Sequence, residues 1–349
     1  MSRRERVTND NNIVIVCEGS ETEAPYFEDL QREIESYFPD RFTNIRVVPI
    51  NEEKVKQSIR RPASRRILLP EYSYWVQVEH TQELYDEHKA QPIRYVREAQ
   101  LFMENEGYKE AWAVFDHDNF EKRREAFAKA EEIDNLHIAF SSISFEEWIL
   151  THFERNHKAF LRSQCKDGTG HPIKCESGLM QGCGGIECLA SYLRTQGYIE
   201  DYDKDGSGLF VSLKENLETA MINAAWLRHL DDQPIYERNP YTDVDRLVAR
   251  MLGIDHEYQW VKLSESFSYN GSNITLEVVD NSVRLIAKGT TLVISKNNLI
   301  NTDLAGNDRI LLNANLILYD GEMSDCFSIT FPYLRLNAGN KSFFIDLSR

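Results

Sequence analysis

Ile13-Val14-Ile15-Val16-Cys17-Glu18-Gly19-Ser20-Glu21-Thr22-Glu23 is the stretch whose reading decides the fold. Its first half is a short, unbroken, mostly β-branched apolar run. A strand buried on both faces of a parallel sheet reads this way, whereas a half-exposed strand alternates. The run stops at Glu18-Gly19. After Thr22 the spacing of Tyr26, Phe27, Leu30 and Ile34 predicts a helix from Ala24 to about Tyr37. The unit is therefore strand, acidic loop, helix.

Working outward, Asn44 to Ile50 reads as a second strand. Residues 52–88 fit neither period and read as an insertion, with Arg60, Arg61, Arg65 and Arg66 around Pro62, then Tyr72, Tyr74 and Trp75. Pro92 opens a helix to about Glu106. Glu110 to Phe115 is the next strand and runs into Asp116-His117-Asp118. A charged helix follows from about Glu121 to Ile133, then a strand from Leu136 to Phe140, then Ser141 to Phe145 and a helix through Trp148 and Phe153. Alternating strands and helices predict an α/β fold with a mostly parallel sheet flanked by helices.

From about Tyr258 the pattern changes. Apolar runs recur between the turn signals Asn270-Gly271, Asp280-Asn281, Gly306-Asn307, Asp320-Gly321 and Gly339-Asn340. This predicts a C-terminal all-β domain over residues 258–349, a sandwich or barrel. It carries no acidic–histidine cluster that reads as a site.

The 349 residues suggest roughly two domains. With 42% hydrophobic and 28% charged residues, the chain can bury a core. Lys plus Arg total 40 against 56 Asp plus Glu, so the net charge is −16. That argues against a protein that coats DNA by bulk positive charge, but not against a nuclease whose acidic site is neutralised by metal. No apolar run approaches the roughly 18 residues of a membrane span. Ile13 to Cys17 is too short for a signal core, so a cytoplasmic protein without membrane contact is expected, its thiols reduced.

Three acidic clusters follow expected strands: Glu18 to Glu23, Asp116-His117-Asp118, and Ser144-Phe145-Glu146-Glu147-Trp148. Ligands of open α/β sheets bind at the carboxyl ends of the strands. Carboxylates converging there can hold Mg²⁺ for phosphodiester cleavage, which needs an activated water and neutralised phosphate charge. Taken singly, each cluster has a plainer reading. An acid at a helix start is commonly a cap or dipole partner, the reading preferred for Glu21 and Glu147.

Other features are weighed in the same way. Arg60, Arg61, Arg65 and Arg66 with the nearby aromatics suit single-stranded RNA or DNA; a solvated loop is the alternative. Cys165, His171, Cys175, Cys183 and Cys188 have zinc-ligand chemistry but no Cys-x-x-Cys spacing, so a loop with buried thiols is preferred. His152 reads as a packing residue on an apolar helix face, and His117 as a surface residue. Asn239 is expected to turn the chain before Pro240, with Thr242 starting the last helix.

The order of motifs resembles the RloB family. Val16-Cys17-Glu18-Gly19 with Thr22-Glu23 and Tyr26-Phe27 is similar to its opening motif, and Val114-Phe115-Asp116-His117-Asp118 to its Asp-x-Asp strand end. Ser144-Phe145-Glu146 with Trp148-Ile149-Leu150 and His152-Phe153 resembles its third motif. Tyr202 and Lys204 match its Tyr-x-Lys element, and Asn239-Pro240 with Thr242, Val244 and Leu247-Val248 its closing motif. The likeness spans roughly residues 10–250, within an expected domain of 10–255 that carries the insertion at 52–88 and a variable cysteine-rich segment at 163–190.

The resemblance implies a Toprim fold, shared with OLD-type nucleases, topoisomerases and DnaG-type primases. Carried over by position, Glu18 is the general acid/base and a metal ligand, and Asp116 and Asp118 are the catalytic metal pair. Glu23 and Glu146 are further metal candidates, and Lys204 is a catalytic candidate that could stabilise phosphate charge. The cofactor implied is Mg²⁺ or Mn²⁺. The activity implied is an endonuclease acting on RNA, with tRNA a candidate, or on DNA, in bacterial anti-phage defence. A partner ATPase or a restriction–modification component is implied as well. The alternative is a sensor that binds a nucleotide or nucleic acid without cleaving it. Topoisomerase chemistry ranks last, because no tyrosine stands in a nucleophile context. A homodimer is the default assembly.

Overall fold

β1 (Asn12–Cys17) lies between two parallel neighbours, β2 (Asn44–Pro49) and β3 (Glu110–Asp116), with Ile15 opposite both Val47 and Trp112. That position explains its composition: Ile13 through Cys17 are fully buried, so no residue of the run faces water. β4 (Leu136–Ser142) continues the sheet in parallel beside β3, and the two-residue β5 (Tyr241–Thr242) closes it antiparallel. The order is β2-β1-β3-β4-β5, an α/β fold with a mostly parallel sheet and flanking helices. In this computed structural model the described residues are 12–19, 21–37, 44–49, 91–117, 122–164, 188–200, 202 and 206–261, together with the strands between 266 and 346.

The helix Gln91–Glu106 carries Pro92 in its first turn. It presents Ile93, Tyr95, Val96, Ala99 and Phe102 to a cluster with Val14, Val16, Ala111, Ala113 and Phe115. The helix Glu23–Tyr37 packs with β2 and with the short helix Leu209–Leu213. Among the described residues no helix is long and apolar enough to cross a membrane.

The chain splits by internal contacts into Met1–Gly253 and Ile254–Arg349. The described residues of the second unit form β6 (Glu257–Val261) to β13 (Lys341–Asp346), arranged as two four-stranded sheets. Within it Trp260, Phe343 and Phe344 are buried, and His256 Nε2 lies 2.8 Å from Ser342 Oγ.

One expectation needs correction. Thr242 does not start the last helix. Tyr241 and Thr242 pair with β4, and the helix is Val244–Leu252. The cause is a buried carboxylate: Asp243 accepts the Phe140 N–H at 2.6 Å and the Tyr241 O–H at 3.3 Å, tying the strand edge down before the helix begins. Next along, Arg228 grips Asp245 through both of its oxygens.

Burial pushes the Asp243 carboxyl up from 3.8 to about 6, with the Phe140 N–H, Arg246 and Arg228 opposing and Asp245 adding. The folded value exceeds the unfolded one, so this group contributes stability that is present below about pH 4 and lost as pH rises through about 6. Asp243→Asn keeps an acceptor for Phe140 and removes the titration. Between about pH 4 and pH 7 the variant should therefore gain on the order of 2–3 kcal/mol relative to the parent, read from urea unfolding at each pH. Parallel pH profiles for the two proteins would sink this account.

Candidate functional site

Because β1, β3 and β4 run in one direction, the residues that follow them meet at one sheet edge. Glu18 comes just after β1, Asp116 ends β3, and β4 leads through Ser144 and Phe145 into the helix Glu146–Thr151. The strand ladder continues past the strand ends. The Glu18 N–H donates to Val114 O at 2.8 Å and the His117 N–H to Ser141 O at 2.9 Å. In return Glu18 Oε2 accepts the Asp116 N–H at 2.9 Å, so the first-motif carboxylate is anchored on the backbone of the second motif.

Glu146 is 1% exposed. Its Oε1 accepts the Tyr202 O–H at 2.9 Å and its Oε2 the Ser163 O–H at 3.3 Å. The Tyr202 phenol is pushed well above its ordinary range by burial first, then by Glu146, then by Glu23 and Asp116. Carboxylates from all three acidic motifs thus act on one phenol.

The first-motif loop is shaped by close approach. A Cβ on Gly19 would stand 2.6 Å from Glu23 Oε2, so the glycine leaves room for that carboxylate. Gly206 and Gly208 lie against the same loop and the helix that follows it: the Gly206 N–H donates to Glu21 O at 2.7 Å and the Gly208 N–H to Asp29 Oδ2 at 2.6 Å. Beside these loops the rings of Tyr26, Phe27, Phe145 and Phe210 pack edge to face, with Tyr26 5.4 Å from Phe145 and 5.5 Å from Phe210. The cluster locks the first motif, the third motif and the helix Leu209–Leu213 together.

The structure brings Glu18, Glu23, Asp116 and Glu146 to this edge. Asp118, Lys204, Arg60, Arg61, Arg65, Arg66, Cys165, His171, Cys175 and Cys183 lie outside the described residues. Cys188 is buried and its Sγ–H donates to Ser163 O at 3.3 Å. Glu21 is exposed and meets its neighbours through its carbonyl. Among the described residues no three His, Cys, Asp or Glu side chains form a ready metal-binding group. The donors at the edge are all carboxylate oxygens, which suit Mg²⁺ or Mn²⁺ better than a soft metal.

Two histidines separate. His152 is buried with Nδ1 on Trp148 O at 3.0 Å, as expected of a packing residue; since a carbonyl accepts there, Nδ1 carries the proton. Burial lowers it to about 4. His117 differs from the surface position expected for it. It is half-buried, its ring 6.2 Å from that of Phe140, and burial, then Arg123, lowers it to about 4. The reason is the turn of the chain after β3: Arg123 Nη1 donates to His117 O at 2.6 Å and draws the residue inward.

Glu147 lies in the first turn of its helix, as its reading at a helix start requires, but not at a solvated terminus. It is fully buried, and burial drives its carboxyl well above the usual range, Asn156 opposing and Glu154 adding. Neither oxygen makes a hydrogen bond of ordinary geometry, although the Asn156 amide lies near enough to favour its charge. The Tyr202–Glu146 bond is the part of the site that the sequence did not reveal. Tyr202 was visible as a motif residue, but no spacing named its partner.

No curated protein and no solved structure matches the chain. The family model described as RloB-like protein matches residues 13–251, which takes in β1 to β5 and every carboxylate described above. This chain is a member of the RloB-like protein family.

Proposed function

We propose that this protein is a metal-dependent nuclease whose site is the acidic edge formed by Glu18, Glu23, Asp116 and Glu146. The observation that carries this reading is the bond from the Asp116 N–H to Glu18 Oε2, at the carboxyl ends of adjacent parallel strands. It joins two acidic motifs where α/β sheets bind ligands. The pressure of Glu146, Glu23 and Asp116 on the Tyr202 phenol supports it, because that much negative charge in one place calls for a cation.

Glu23, Asp116 and Glu146, with Asp118 by resemblance, would hold Mg²⁺ or Mn²⁺. A bound ion supplies charge neutralisation at the phosphate and lowers the pKa of water. Glu18, steadied through one oxygen by the Asp116 N–H, accepts or returns the proton of the attacking water or the leaving oxygen. Lys204, by resemblance alone, would add positive charge against the phosphate. The substrate is RNA, with tRNA first in line, or DNA, and the setting is anti-phage defence, in the cytoplasm, with a partner ATPase or a restriction–modification component.

A second reading, a sensor that binds nucleic acid or nucleotide without cutting, draws on the net charge of −16 and the few basic residues. The two part on turnover. The full chain, with Asp116→Ala beside it to exclude a contaminant, is incubated with total tRNA, single-stranded RNA and plasmid DNA. The nuclease cuts at least one of these, EDTA stops the cutting, and Mg²⁺ or Mn²⁺ restores it. Binding without products in any metal condition would replace the nuclease by the sensor.

A further inference from the structure

Among the four carboxylates described at the edge, Glu146 is the most enclosed, and a buried carboxylate is held by the donors it finds. Two of its donors among the described residues are hydroxyls from outside its own helix: Tyr202 on Oε1 at 2.9 Å and Ser163 on Oε2 at 3.3 Å.

Both donors are themselves fixed, and by the same element. Arg194 Nη1 donates to Tyr202 O at 2.9 Å. Ser163 O accepts the Ala190 N–H at 2.9 Å and the Cys188 Sγ–H at 3.3 Å. Ala190 and Arg194 lie on the helix Leu189–Thr195, and Cys188 is its N-cap. That helix contains no Asp, Glu or His. The orientation of Glu146 is thus set from an element that bears no acidic residue.

The chemistry of the donors is informative. Both of these are hydroxyls, which hold a carboxylate oxygen by hydrogen bonding without bringing a formal charge of their own. An Arg or Lys at the same points would hold it more strongly but would cancel the charge a cation needs. This is the arrangement expected of groups that aim a ligand from behind.

We propose that Tyr202 and Ser163 are a positioning pair, which aims the Glu146 carboxylate into the acidic edge. The inference rests on reading that edge as a metal site. It assigns the pair no contact with substrate.

The test uses the full chain and Mn²⁺ alone, with binding followed by calorimetry and folding by thermal melting. Four proteins are compared: parent, Glu146→Gln, Tyr202→Phe and the double variant. The Tyr202→Phe protein should bind Mn²⁺ about 10- to 100-fold more weakly than the parent. In the Glu146→Gln background the same change should cost nothing further, because the pair acts through Glu146; a merely structural loss would add in full. If Tyr202→Phe fails to fold, Ser163→Ala takes its place in the cycle with the same expected non-additivity.

Parent-like Mn²⁺ affinity in the hydroxyl variant, or a penalty that adds fully to that of E146Q, would overturn the proposal. A parent that does not bind Mn²⁺, or binds it equally well as Glu146→Gln, would overturn it too, by removing the metal reading on which it rests. The two failures are told apart by whether Glu146→Gln alone weakens binding.

Discussion

Glu18→Gln should leave the fold intact and lower metal-dependent cleavage on the order of 10²- to 10⁴-fold. The substitution is chosen for what it retains. A glutamine still offers an oxygen to the Asp116 N–H, which Glu18 Oε2 now accepts at 2.9 Å, so the ends of β1 and β3 stay joined. What disappears is the negative charge and the ability to take a proton. Glu18→Ala loses the hydrogen bond as well and should melt at a lower temperature than Glu18→Gln. Comparing the melting curves of the two with their single-turnover rates separates scaffold from chemistry. If Glu18→Gln cleaves at the parent rate, Glu18 is only a backbone acceptor and the acid/base role belongs elsewhere.

The second large effect is expected at a residue with no chemistry at all. In Gly206→Ala the new Cβ would stand 2.2 Å from Thr22 O and 2.9 Å from Thr22 Cα. These are backbone atoms, so no side chain can swing aside. The Gly206 N–H is also bonded to Glu21 O at 2.7 Å, which leaves the two loops no slack. Either they separate, breaking that bond and displacing Tyr202, or the first-motif helix shifts. Overpacking of this kind costs roughly 1–3 kcal/mol or more. For a unit of this size that is a fall in melting temperature of roughly 2–12 °C. Cleavage should fall with it, since the loop holding Glu23 moves. The analogous Gly19→Ala meets a carboxylate tip, Glu23 Oε2, which can rotate away. It should therefore melt close to the parent while still weakening Mn²⁺ binding. Equal melting temperatures for Gly206→Ala and the parent would show that the loops part without cost.

The contrast between those glycines bears on what the sequence could disclose. The parallel strands were legible from their apolar runs: Ile13–Cys17, buried on both faces, is unbroken, and Glu110–Phe115 and Leu136–Phe140, which carry a polar residue at or next to their start, also lie within observed strands. The helix opened by Pro92 was legible through its fixed φ and amphipathic spacing. β5 was not, because a two-residue strand has no period, and its place depends on Asp243 reaching Phe140 from 103 residues away. The helix Leu217–Leu230 also escaped notice: Ala220 through Leu227 are all buried, so it has no polar face to mark a period.

The site shows the same division. Glu18, Glu23, Asp116 and Glu146 could be picked out because each follows a strand or opens a helix, and a resemblance ordered them. Their partners could not. Tyr202 reaches Glu146 at a helix start and Gly206 reaches Glu21 in a loop, both from a loop segment far along the chain, and such contacts leave no periodic trace in a sequence. The burial of Glu147 was equally invisible, since an acid at a helix start reads alike whether water or protein covers it.

The closing strand bears on how this protein is made. Phe140 leaves the ribosome 103 residues ahead of Asp243, an interval on the order of 5–20 s of synthesis. Throughout that time the outer edge of β4 waits for β5, and the first-motif loop waits for Gly206. A nascent chain already carrying Glu18, Asp116 and Glu146 can pair β1, β3 and β4, but it still lacks the Tyr202 donor to Glu146 and the Gly206 bond to Glu21. A chain that ends just before residue 202 therefore carries these three acidic residues without the two contacts, made by Tyr202 and Gly206, that tie Glu146 and the first-motif loop in the folded protein.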